Sequence, residues 1–236
     1  MLNHYYYLLY PLSVTSRNYQ YKDKIPLIYY THGGKQVTAT SDKKSIMKRV
    51  ERLKKRYNNR IFLFRNPLSV IVSYYNYVIH GKHYPDGDDK WKSMDFSEFI
   101  RSKYGLERTV CHMKAFEECV DSDDILILKY EELRKNTKAI FIQILKSLNS
   151  KIIDEIIIDK AISYCNIKEM KKREKEGEAN EFEISTRGRF VNSSGLKVRE
   201  GNLEGYKEYF KSDSDKQFAK DKCKGFGNLL DEYNLT

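Results

Sequence analysis

The sequence predicts an α/β fold, a parallel β-sheet flanked by helices on both sides. Short apolar runs at 5–10, 25–31, 60–64 and 124–128 alternate with longer stretches of helical spacing, as strands joined by helical crossovers do. Two of these runs, "RIFLF" and "DILIL", carry no charge after their first residue, the pattern of strands buried on both faces. The chain has 236 residues and is 40% hydrophobic, enough for one domain with a core of ordinary size. The whole chain, 1–236, is therefore expected to be a single domain.

Each element has a local reason. "YYYLLY" (5–10) is ended by Pro11 and is read as the first strand. "IPLIYYT" (25–31) is the second, stopped by Gly33 and Gly34. "KKSIMKRVERLKKRY" (43–57) has Ile46, Val50 and Leu53 at helical spacing on a basic background, so it is an amphipathic helix with Asp42 as N-cap. "RIFLF" (60–64) is the third strand, and Pro67 opens the helix that follows, where its missing N–H costs nothing. "DILIL" (124–128) is the fourth. Further helices are expected at 95–103, 106–120, 131–149, 152–175 and 204–233. The charged, Gly- and Ser-containing segment 171–202 is read as a long mobile surface loop.

Composition narrows the partners. Lys and Arg number 43 against 33 Asp and Glu, a formal charge of +10, which suits an anionic partner: a nucleotide, nucleic acid, membrane surface or acidic glycan. The basic residues read as scattered along the chain, not gathered into one stripe, so no nucleic acid is expected as partner. Cys111, Cys119, Cys165 and Cys223 form no CxxC pair and fit no zinc spacing. Reduced thiols and a cytoplasmic location are the expectation. No run reaches the roughly 20 apolar residues of a membrane span, and the N-terminus lacks the basic start of a signal peptide.

In open parallel sheets, ligands bind at the carboxyl ends of the strands. There the sequence places "PLSVTSR" (11–17), "THGGK" (31–35), "RNPLS" (65–69) and "KYEEL" (129–133). Helix N-termini follow two of these turns, and such termini favour anions. A site for a phosphorylated ligand is the expectation. Arg65 and Ser73 lie eight residues apart, just over two helical turns, so they can share one face. A guanidinium can fork two phosphate oxygens; the alternative is a buried Arg paired with a carboxylate.

"FRNPLSVIVSYYNY" resembles the 3′-phosphate motif of the PAPS-dependent sulfotransferases, PAPS being 3′-phosphoadenosine 5′-phosphosulfate. The resemblance implies a P-loop-kinase-like fold in which Arg65 and Ser73 contact the 3′-phosphate. "ILILKYEELRKN" (125–136) is similar to the family strand whose Tyr lies beside the adenine, here Tyr130. "CNIKEMKKRE" (165–174) resembles a segment near the adenine, with Asn166 and Ile167 in place of Ser and Phe and with Met170 matching. "REGNLEGYKEYF" (199–210) resembles the C-terminal motif that closes over the 3′-phosphate. Arg199, Gly201, Lys207 and Phe210 are in register, with Glu200 for the family Lys and Tyr206 for its Trp. "TRGRF" (186–190) is a second candidate for that motif. His32 in "YYTHGG" stands where family members carry the general base.

The 5′-phosphosulfate loop departs from the family. In "YPLSVTSR", Pro11, Ser13, Thr15 and Ser16 align, while Leu12 replaces the Lys, Val14 the Gly and Arg17 the Trp. Arg17 and Lys35 are the cations that could replace the missing Lys. The resemblance implies a sulfotransferase moving a sulfuryl group from PAPS to a hydroxyl or amine and leaving PAP, with no metal. The alternative is a catalytically impaired relative that still binds PAP or PAPS. The acceptor, a small molecule or a glycan, would be held by loops 33–42, 80–95 and 171–198. "GGK" at 33–35 lacks the spacing of a P-loop kinase motif.

Overall fold

The computed structural model describes residues 43–56, 60–80, 89–119, 125–176 and 202–224. The expected strands at 5–10 and 25–31 lie outside that set. Strand β1 (Arg60–Phe64) and strand β2 (Ile125–Lys129) are parallel, in register from Arg60 opposite Ile125 to Phe64 opposite Lys129. A parallel pair needs a long crossover, and much of this one is helical: α2 (Pro67–His80), α3 (Phe96–Arg101) and α4 (Leu106–Cys119). Helix α1 (Lys43–Arg56) precedes β1. After β2 come α5 (Tyr130–Lys135), α6 (Thr137–Ser147), α7 (Glu155–Tyr164) and α8 (Ile167–Glu176). A 3-10 turn (Gly205–Glu208) and α9 (Asp213–Cys223) complete the described chain.

Side chains alternate across the two strands, and the two faces bury against different helices. Phe62 and Phe64 pack with Leu68, Ile71 and Val72 of α2, Phe99 of α3, Val110 of α4 and Ala219 of α9. Ile61, Leu126 and Leu128 pack with Phe141 and Leu145 of α6 and Ile158 of α7. Helices on both faces confirm the expected architecture. One detail differs: Leu63 is 48% exposed, so β1 is not buried along both faces.

Helix starts follow their caps. Asn66 Oδ1 accepts from Leu68 N at 2.8 Å and the Asn66 carbonyl accepts from Val70 N at 3.0 Å, so Asn66 caps α2 and Pro67 takes its first position. Asp95, Asp154 and Ser212 cap α3, α7 and α9 with their side chains. At Gly105, between α3 and α4, an added Cβ would lie 2.2 Å from the Ile100 carbonyl oxygen; a backbone neighbour cannot yield as a side chain can.

Three expected long helices are broken, two of them by short polar side chains that cap the next helix and one at Asn136 by the backbone alone. The helix expected at 131–149 is split at Asn136, whose φ and ψ are −125° and 48°. That expected at 152–175 is split at Cys165 and Asn166, where Asn166 Oδ1 accepts from Glu169 N at 3.0 Å and starts α8. That expected at 204–233 becomes the 3-10 turn and, after the Ser212 cap, α9. Asn and Ser compete for backbone donors and favour caps over helix interiors.

Two expected loops also change. Residues 171–176 belong to α8, with Arg173 buried and its guanidinium 3.7 Å from the Tyr164 ring centroid. Trp91 is 1% exposed, packed edge-on to Phe99 and Tyr104, and the Met94 carbonyl accepts from the Tyr75 hydroxyl at 3.1 Å. That end of the expected 80–95 loop is therefore core.

The cations are not simply scattered. Helix α1 reads KKSIMKRVERLKKR, eight basic residues against one acid. Lys44, Lys48, Arg52 and Lys55 are exposed, while Met47 packs against Ala115 of α4, as do Cys111 and Phe116. Among the described residues no helix is long and apolar enough to cross a membrane.

Candidate functional site

The parallel register fixes the heart of the site. Phe64 pairs with Lys129, so Arg65 and Tyr130 leave the sheet side by side at its carboxyl edge. The Arg65 guanidinium carbon lies 4.5 Å from the centroid of the Tyr130 ring, a cation–π arrangement. Arg65 Nε is buried without a hydrogen-bond partner, and among the described residues no carboxylate forms an ion pair with Arg65. The reading of Arg65 as one half of a buried ion pair thus finds no partner among these residues.

The nearest acid takes another donor. Glu131 Oε1 accepts from the Asn66 backbone N–H at 3.2 Å, joining the end of β1 to α5. Arg134 Nη1 donates to the Tyr130 hydroxyl at 3.4 Å. At the N-terminus of α2 the first-turn backbone donors are partly taken. Pro67 has no N–H, and Leu68 N and Val70 N both bond Asn66. Helix α5 opens with Glu131 and Glu132. Side chains, not helix ends, give this edge its positive character.

Ser73 lies two turns along α2 and is half-buried. Its neighbours on the same helical face are Ser69 and Asn76, at spacings of four and three. Both hold the C-terminal segment. Ser69 Oγ donates to the Leu203 carbonyl at 3.3 Å. The Tyr209 hydroxyl accepts from Asn76 Nδ2 at 2.9 Å and donates to Asn76 Oδ1 at 3.0 Å. Asn76 Nδ2 also donates to the Val72 carbonyl at 2.8 Å. Phe210 is 5% exposed in the core that Tyr206 and Tyr209 also pack against. Residues 203–210 therefore lie along the α2 face that carries Ser73.

Lys207, the other in-register basic residue, is exposed and donates to Glu204 Oε1 at 2.8 Å, a bond that raises its pKa. Asn166 spends its side chain capping α8 and donating to the Ser163 carbonyl, which leaves a structural account of that segment. Among the described residues no cluster of three or more His, Cys, Asp or Glu could hold a metal.

Of the residues singled out by sequence, the structure brings Arg65 and Tyr130 into contact and places Ser73 on the neighbouring helix. Ser13, Thr15, Ser16, Arg17, His32, Lys35, Arg199 and Gly201 lie outside the described residues. Sequence reading missed Ser69, Asn76, Tyr209 and Glu131. A signal for the first two was present: Ser69, Ser73 and Asn76 form a polar line on an otherwise apolar helix.

A model of the sulfotransferase domain matches residues 15–226. Sulfotransferase 1E1 of Bos taurus is 31% identical over 112 residues, which are 47% of this chain and 37% of that protein. Luciferin sulfotransferase of Photinus pyralis is 26% identical over 153 residues, 62% of this chain and 38% of that protein. The matched regions thus span less than two fifths of these curated relatives. The crystal structure of mouse sulfotransferase SULT7A1 complexed with PAP superposes with a TM-score of 0.52 at 20% identity, over 73% of this chain and 62% of that one. It shares the fold. With the domain model matching most of its length, including both described strands and the Arg65–Tyr130 pair, this chain belongs to the sulfotransferase family.

Proposed function

We propose that the chain, as one domain, transfers a sulfuryl group from PAPS to a hydroxyl or amine of an acceptor and releases PAP. The observation that carries this reading is Arg65: a guanidinium at the strand end, braced on Tyr130, with a buried Nε that has no partner. An unpaired buried donor is costly, and an anion such as a 3′-phosphate would satisfy it. That is the fit the nucleotide requires.

Each remaining role follows the family motif. Arg65 and Ser73 hold the 3′-phosphate, and Tyr130 flanks the adenine. Arg199 contributes its charge to the 3′-phosphate, and Gly201 admits close backbone approach there. Ser13, Thr15, Ser16 and Arg17 bind the 5′ end. His32 removes the proton of the acceptor, for which an imidazole is suited near neutral pH. PAPS, when bound, supplies the sulfuryl group. The missing loop Lys is replaced by Arg17 or Lys35, whose charge would stabilise the departing phosphate.

A second reading rests on Leu12 and Val14: a relative that binds the nucleotide without turning it over. Calorimetry with PAP tests the shared half. Binding at micromolar concentration supports both readings, and no binding below millimolar concentration refutes both. Transfer of labelled sulfate from PAPS into hydroxyl acceptors then separates them. Turnover lost in His32→Ala supports the enzyme; no turnover by the wild type supports the second reading.

A further inference from the structure

We propose that Arg134 is a positioning residue of the nucleotide site, acting through the Tyr130 hydroxyl so that this phenol serves as a hydrogen-bond donor to the nucleoside. The inference rests on the reading above, in which Arg65 holds the 3′-phosphate and Tyr130 flanks the adenine.

The direction of one bond carries the argument. Arg134 Nη1 lies 3.4 Å from the Tyr130 hydroxyl oxygen. A guanidinium can only donate, whereas a phenol can donate or accept. The oxygen therefore accepts, and its proton points elsewhere. Among the described residues no acceptor takes that proton, and Tyr130 is half-buried. A hydroxyl that accepts from a cation is polarised, which strengthens it as a donor. Its complement is a ligand atom with a lone pair: a purine ring nitrogen or a ribose oxygen. The ring of the same tyrosine lies 4.5 Å from the Arg65 guanidinium carbon. One side chain thus stands between two guanidiniums, one that meets an anion and one that sets the hydroxyl.

Arg134 has an ordinary alternative, and its surroundings argue against it. A cation suits the last turn of a helix, and an Arg three residues after an acid can pair with it. Lys135, exposed, already serves that end of α5. Glu131, three residues before Arg134, accepts instead from the Asn66 N–H at 3.2 Å. Glu132 is exposed, and among the described residues it forms no ion pair with Arg134 or Arg65. Arg134 is half-buried, and its hydrogen bond among these residues goes to the phenol of the site.

Calorimetry of the full chain with PAP and with 5′-AMP tests this. Arg134→Met keeps the apolar stem and removes the donors. It is expected to weaken both nucleotides by about three- to tenfold, less than a short charge-assisted bond would give because 3.4 Å is long. The thermal midpoint should be little changed, which excludes misfolding as the cause, and Arg134→Lys should recover part of the loss. Tyr130→Phe keeps the ring over Arg65 and removes the hydroxyl; in that background Arg134→Met should have no further effect. Unchanged affinity in Arg134→Met, or an equal loss with and without Tyr130→Phe, would overturn the proposal. So would a loss confined to PAP, which would make Arg134 a contact of the 3′-phosphate. No binding of PAP by the wild type would refute the nucleotide reading itself and the inference with it, whereas wild-type binding that Arg134→Met leaves intact refutes the inference alone.

Discussion

Tyr209→Phe isolates the contact that seats the C-terminal segment on α2. The hydroxyl both accepts from Asn76 Nδ2 at 2.9 Å and donates to Asn76 Oδ1 at 3.0 Å. The ring stays in the variant, with its edge contacts to Phe96 at 5.2 Å and Tyr75 at 6.2 Å. Nδ2 keeps its bond to the Val72 carbonyl, so the principal loss is a partner for Oδ1 on a side chain only 7% exposed. Leaving such an acceptor unsatisfied costs about 1–3 kcal/mol. For a chain of this size each kcal/mol lowers the thermal midpoint by about 2–4 °C. Calorimetry should show a fall of about 2–12 °C, and a double-mutant cycle with Asn76→Ala should give a coupling of about 1 kcal/mol. Because Ser73 lies between Ser69 and Asn76 on that face, the variant should also bind PAP more weakly while 5′-AMP, which has no 3′-phosphate, is little affected. An unchanged midpoint with zero coupling would refute the latch. An equal loss for both nucleotides would refute its link to the 3′-phosphate.

Other consequences can be measured directly. Arg65→Lys keeps the charge but loses the planar fork, and charge-assisted bonds worth about 1.5–3 kcal/mol make a 10- to 100-fold loss of PAP affinity the expectation by calorimetry. For Asp215, burial pushes the carboxyl up, but hydrogen bonds with Arg101, Ser212 and Ser97 outweigh it and hold the pKa below 3.8. Its contribution to stability is full above the unfolded pKa and is lost as pH falls through the folded one, so the gap between wild type and Asp215→Asn in urea unfolding should narrow below about pH 4. Burial pushes the Cys223 thiol up to about 12, with Lys114 acting weakly the other way. Peptide mapping after alkylation at pH 8 should find Cys223 protected in the native protein and labelled once it is unfolded.

The legible parts of the fold were those set by local chemistry. "RIFLF" and "DILIL" carry enough apolar, β-branched and aromatic residues to read as strands unaided, and both are strands. Asn66-Pro67 announces the start of α2 by its own capping chemistry. Helix breaks at Asn136 and Asn166 were missed because apolar periodicity continues across them: at Asn166 a capping side chain outweighs it, and at Asn136 the backbone leaves helical geometry without a side-chain cap. Leu63 reads as buried in sequence and is 48% exposed, since a strand's pattern does not say how far its covering helices reach. Arg65 stood out in the sequence because a guanidinium at the end of an apolar strand is unusual. Tyr209 and Asn76 were not, because their meeting depends on a fold contact 133 residues apart.

The local electrostatics say what kind of anion site this edge can be. A helix N-terminus usually offers free backbone donors, yet α2 has Pro67 at its first position and Asn66 bonded to Leu68 N and Val70 N. The Asn66 N–H itself goes to Glu131. Backbone donors here are largely spent on holding the turn, and a carboxylate stands one residue from Tyr130. A phosphate would therefore depend on the guanidinium and on hydroxyls, and the guanidinium must be positioned before the ligand arrives. The Tyr130 ring does that: it covers one side of Arg65 at 4.5 Å, restricts its rotamers, and leaves the unpaired Nε buried. Pre-placement lowers the entropy cost of binding, while the desolvated donor strengthens whatever anion it meets. A site built this way should tolerate change at the α2 turn better than change at Tyr130. Removing the ring frees the only cation that the described part of the edge supplies at the β1 terminus.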